Sequence, residues 1–78
     1  MNKKRRNEIQ KIRDFIEEKK DELESLKDEE QEAYDNLPES IQCGERGDKM
    51  QENIDNLDYA VSNLQDCIDN LDEVINAE

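Results

Sequence analysis

Ile54-Asp-Asn-Leu-Asp-Tyr-Ala60, Val61-Ser-Asn-Leu-Gln-Asp-Cys67 and Ile68-Asp-Asn-Leu-Asp-Glu-Val74 are three consecutive seven-residue units, and Ile75 starts a fourth. Ile54, Val61, Ile68 and Ile75 fall at heptad position a, and Met50, Leu57, Leu64 and Leu71 fall at d. Apolar residues spaced alternately by four and three lie along one side of an α-helix, whereas a strand would scatter them over both faces. Position g adds Ala60, Cys67 and Val74. A stripe filling a, d and g is wider than a two-stranded seam requires, which predicts a helix that touches two neighbours.

The same frame runs back through the first half of the chain. Ile9, Ile16, Leu23, Glu30 and Leu37 fall at a, and Ile12, Lys19, Leu26 and Ala33 fall at d, so two of these nine positions are charged. Phe15 and Tyr34 flank the seam, and no Gly or Pro precedes Pro38, which predicts a helix over residues 3–36. The only Pro and both Gly residues lie between the two periodic segments, so residues 37–47 read as the turn. Within it, Pro38 suits the first position of a short helical turn, and Gly44 suits a left-handed end to it. Asp48 with Gln51 three residues later has the form of a capping box opening a second helix over 48–77; a start near Gly44 is equally allowed and would bring Gly47 into the helix at a core position. Two helices of about 30 residues, each about 45 Å long, predict an all-α fold, an antiparallel hairpin in one domain. The hairpin covers one side of each stripe, and pairing two hairpins into a dimeric four-helix bundle hides the rest. The competing arrangement is a monomeric hairpin whose second partner is its biological target.

Composition bounds the function. The chain has 78 residues, with 23 acids against 11 bases, a net charge of -12, 4% aromatic residues and neither His nor Trp. This is below the roughly 100–200 residues of a usual domain and leaves room for one small core. High charge and few aromatics resemble a disordered segment, but disorder has no hydrophobic period and this chain has one. The basic start, Met1-Asn-Lys-Lys-Arg-Arg6, is followed by polar residues where a signal peptide needs an apolar run, and no segment approaches a membrane span, so a cytoplasmic location is expected. Without His, the Ser–His and Cys–His pairs of nucleophilic catalysis cannot be built, and two Cys do not complete a zinc site, so no enzyme activity, cofactor or metal is expected. Asp66, Asp69, Asp72 and Glu73 lack the Asp-x-Asp-x-Asp-Gly spacing of a calcium loop and read as a solvated helix face. Cys43 in the turn and Cys67 midway along the second helix lie about 30 Å apart, too far for a disulfide, which predicts free thiols with Cys43 the more accessible.

Asn36-Leu-Pro-Glu-Ser-Ile-Gln42, Glu45-Arg-Gly-Asp-Lys-Met-Gln-Glu52 and the Ile-Asp-Asn-Leu heptads together resemble a group of short acidic two-helix proteins of phages, prophages and mobile elements of low-GC Gram-positive bacteria (Firmicutes). The resemblance covers about residues 30–75. It implies a mobile-element origin and a helical hairpin; the group is mostly of unknown function, and the resemblance assigns no functional residue.

The acidity is unevenly placed. Residues 1–20 carry +4, residues 21–47 carry -8 and residues 48–78 carry -8. Folding the chain as a hairpin leaves -1 on the half holding the termini and -11 on the half holding the turn, residues 21–59. Over about 22 Å of rod this is one charge per about 2 Å, close to the roughly 1.7 Å of double-stranded DNA. Two functions of different kinds follow. In one, the acids keep a small bundle soluble, and the chain is a structural or adaptor subunit binding other proteins through its apolar stripe. In the other, Asp21, Glu24, Asp28, Glu32, Asp35, Glu52 and Asp55, at heptad positions b, c and f, present a DNA-like surface to a basic nucleic-acid-binding or defence protein and inhibit it, in the manner of anti-CRISPR and anti-restriction proteins. Direct nucleic-acid binding is disfavoured, because a body of charge -12 repels phosphate. For a homodimer, an antiparallel pairing of two copies of the first helix sets Leu23 against Leu26 and Lys19 against Glu30, so these four residues are the expected dimer register.

Overall fold

In the computed structural model, which describes residues 1–77, the chain forms α1 (Lys3–Asp35), the one-turn α2 (Glu39–Gln42) and α3 (Glu45–Asn76). Among the described residues every regular element is helical, and α1 and α3 pack side by side as an antiparallel hairpin of Cα extents 58 × 14 × 12 Å. The Asn2 side chain caps α1 by accepting from the Arg5 N–H at 2.8 Å. At the other end Pro38 biases Leu37 away from helix, and Gln42 Nε2 donates to the Tyr34 carbonyl at 2.9 Å and that of Asp35 at 3.4 Å, satisfying oxygens that a helix end leaves open.

The turn is tighter than residues 37–47 suggest. Pro38 is the N-cap of α2 rather than its first residue, and Gly44 is not left-handed: at φ -95° and ψ -175° it is extended and caps α3, which begins at Glu45, three residues before Asp48. The Asp48 N–H donates to the Gly44 carbonyl at 3.0 Å, inside the first turn of α3, so Asp48 opens no helix. Gly47 explains the earlier start. A Cβ there would lie 2.0 Å from the Gln42 carbonyl oxygen, so only glycine lets α2 fold back against the new helix. Starting at Glu45 also places Glu45 and Asp48 at the positive end of the α3 dipole.

The hairpin seam uses different positions on its two helices. On α3, position a faces inward, and Ile54 and Ile68 are the two large apolar side chains buried by the hairpin alone. On α1 the half-buried residues lie at a (Ile9, Ile16, Leu23, Glu30) and e (Arg6, Arg13, Lys20, Lys27, Tyr34), with Gln10, Glu17 and Gln31 at the adjoining position b, whereas the d residues Ile12, Lys19, Leu26 and Ala33 are exposed. A seam of a and d on both helices is therefore corrected to one that is rotated on α1. The e positions explain the rotation. Arg13 Nε donates to Asp72 Oδ1 at 2.8 Å, Lys20 Nζ to Gln65 Oε1 at 2.8 Å and Lys27 Nζ to Asp58 Oδ1 at 3.2 Å. These partners recur every seven residues on both helices, so they lock one register and draw the e edge of α1 onto α3. The stems of the three bases cover the seam while their heads reach its rim. The hydrogen bond to Asp72 raises Arg13 above its ordinary pKa, and that to Asp58 raises Lys27.

Charge also suits the antiparallel course. α1 has no acid in its first turn and no base in its last, which opposes its own dipole. Beside α3 the same distribution is favourable, because the basic start of α1 lies at the negative end of α3. There Arg6 Nη2 donates to the Ala77 carbonyl at 3.0 Å.

Candidate functional site

Rotating α1 toward its e edge closes one rim of the hairpin with polar pairs and leaves the other rim open, with exposed apolar side chains among Lys19, Glu22 and Glu29. On that open flank lie d and g of α1, where Ile12 is 55%, Phe15 59% and Leu26 57% exposed. Next to them run d and g of α3, with Leu57, Ala60, Leu64, Cys67 and Leu71 half-buried and Val74 exposed. The accessible surface is 5889 Å². A compact monomer of 9.2 kDa exposes about 4,900 Å², so the hairpin shows about 1,000 Å² in excess. A stable protein interface takes about 800 Å² from each partner. The excess belongs to the elongated rod as a whole, of which the open flank is one part.

The flank has relief. Glu22, Ser25, Leu26 and Glu29 line a shallow open depression on α1. Their spacing of i, i+3, i+4 and i+7 is that of the hole into which a side chain of a neighbouring helix packs, and the small Ser25 leaves room at its centre. About three turns from the centre of this hole, Phe15 projects as a knob with Lys19 Nζ 5.3 Å from its ring centroid. Lys19 Nζ also lies 3.0 Å from Glu22 Oε2, and this hydrogen bond raises the Lys19 pKa.

The acidic surface occupies the opposite side of the rod. Asp21, Glu24, Asp28, Glu32, Asp35, Glu52 and Asp55 are all exposed. Lys20 approaches Asp21 only at 3.9 Å, and Asp35 and Asp55 accept hydrogen bonds from Gln31 and Gln51 one helical turn before them. The carboxylates therefore project into solvent with little compensation from bases of their own chain.

The four residues of the expected dimer register are divided between two faces. Lys19 and Leu26 lie on the open flank, while Leu23 and Glu30 are half-buried on the side turned to α3. Asp72, from the acidic run near the C-terminus, is committed to Arg13, and Asp69 accepts from Gln65 at 3.0 Å. Cys43 is exposed and Cys67 half-buried, both as free thiols. The sequence places Phe15 beside the seam, but Ser25, at c, lies outside a count of a and d, and the hole it lines is set by the i, i+3, i+4, i+7 spacing of Glu22, Ser25, Leu26 and Glu29. Among the described residues, no helix is long and apolar enough to cross a membrane.

No family model, curated protein or solved structure matches the chain, so its function is argued from these two surfaces.

Proposed function

We propose that the chain is a non-enzymatic protein-binding module, encoded by a phage or mobile element and working in the bacterial cytoplasm. Its unit is a homodimeric four-helix bundle that serves as a structural or adaptor subunit. The observation carrying this reading is the uncovered flank, where Ile12, Phe15 and Leu26 are each more than half exposed. Phe15→Glu with Leu26→Glu tests it. Both sites are exposed in the hairpin, so the variant keeps its helical circular dichroism, and light scattering after size exclusion reports a monomer where the parent is a dimer. A parent that is already monomeric refutes the reading.

The exposure of all seven acids favours a second reading, in which the turn half occupies the phosphate-binding channel of a basic nucleic-acid-binding or defence protein. Binding to such a partner would fall steeply between low and moderate salt. Neutralising Asp21, Glu24, Asp28, Glu32, Asp35, Glu52 and Asp55 to Asn or Gln would then abolish capture while leaving the fold intact. Capture that survives neutralisation removes this reading and leaves the apolar one.

A further inference from the structure

Two hairpins can meet flank to flank with twofold symmetry in two ways. An axis along the rod puts the turns at the same end and α1 over α3 of the other copy. An axis across the rod puts the turns at opposite ends, with α1 over α1 and α3 over α3. Charge separates them. With the turns together, the -11 half faces its own copy; with the turns apart, it faces the -1 half, whose Lys3, Lys4 and Arg5 are exposed. The product of the facing charges, which scales their repulsion, falls about five-fold.

Resting on the dimeric reading above, we infer that the occupant of the apolar flank is a second copy with its turn at the opposite end, seated by Phe15 of each α1 in the Glu22–Ser25–Leu26–Glu29 hole of the other. This sets Phe15 against Leu26, so the axis passes between residues 20 and 21. Lys19 then meets Glu22 of the other copy twice by symmetry, extending the pair it already makes within its own helix. The α3 helices must accommodate the same axis. The Lys20–Gln65 bond makes residues 20 and 65 level across the hairpin, so the axis reaches α3 between residues 64 and 65. Packing d against g in two antiparallel α3 helices near that level sets Leu57 against Val74, Leu64 against Cys67 and Leu71 against Ala60. Every layer is apolar. The centre of those layers lies between residues 65 and 66, one residue or about 1.5 Å from the level that α1 sets. α3 therefore accommodates the register that α1 sets with apolar layers, and the product is a rod with an acidic turn at each end.

Disulfide trapping tests the arrangement. Phe15→Cys and Leu26→Cys are introduced together, with Cys43→Ser and Cys67→Ala removing the native thiols. Residues 15 and 26 lie about 16 Å apart on one helix, beyond disulfide reach, so a bond between them joins two chains. Mild oxidation of the double-cysteine protein is expected to give a covalent dimer on a non-reducing gel, while either cysteine alone leaves the chain single. A protein that light scattering shows to be dimeric but that does not cross-link, or cross-links equally well through one cysteine, overturns the register and leaves the dimeric reading standing. A protein that is monomeric with both cysteines reduced, from a parent that is also monomeric, overturns both.

Discussion

Ile68 and Gly47 carry more of the fold than their size suggests. Ile68 is 1% exposed, with Ile54 two heptads before it the other buried large apolar side chain, so Ile68→Ala is expected to cost about 2–5 kcal/mol in urea unfolding followed by circular dichroism. Tyr59, at position f and 68% exposed, serves as its control: Tyr59→Ala should stay within about 0.5 kcal/mol. Gly47 inverts the usual helix propensity. Ala is favoured over Gly inside a helix by about 1 kcal/mol, but a Cβ 2.0 Å from the Gln42 carbonyl forces α2 away, so Gly47→Ala should lower the melting temperature. A rise in melting temperature would mean that α2 does not pack there. Gly47 shows what the sequence could say about single residues. Its place at a core position was legible from the heptad count, but the choice between Gly44 and Asp48 as cap was not, because it depends on where Gln42 comes to rest.

At the scale of the elements, both long helices and their antiparallel course were legible, because the 3–4 alternation runs unbroken on either side of a single Pro- and Gly-containing segment. The rotation of α1 was not. An a–d count treats e as outside the seam, and Arg13, Lys20 and Lys27 enter it only because Asp72, Gln65 and Asp58 stand level with them, a fact of the register between helices. This polar edge responds to pH. Lys27 bonded to Asp58 has its pKa raised above the ordinary 10.5, so its contribution is complete below 10.5 and is lost as the pH rises through the higher folded value. Melting of the parent and of Asp58→Asn should accordingly differ at neutral pH and converge in alkali; a gap that is constant across that range would exclude the bond as its source. The short α2 is tested through its cap. Gln42→Ala removes the bond to the Tyr34 carbonyl and should cost about 1 kcal/mol, read as a lower urea midpoint with unchanged slope.

For the whole molecule the sequence showed a stripe too wide for one hairpin, and the structure shows which part is left uncovered: d and g, opposite the acids and away from the polar pairs. The candidate register of Lys19, Leu23, Leu26 and Glu30 was drawn on the full a–d stripe, and α3 engages the two a members first. What a lone chain sequence withheld was this division of labour, which arises only when the second helix takes its place. The central claim is that the open flank belongs to a second copy. Sedimentation equilibrium of the unmodified protein at moderate salt, where the -12 charge of each chain is partly screened, measures it directly. The expected mass is twice 9.2 kDa at micromolar concentration, and a single species of 9.2 kDa persisting to millimolar concentration would contradict the account.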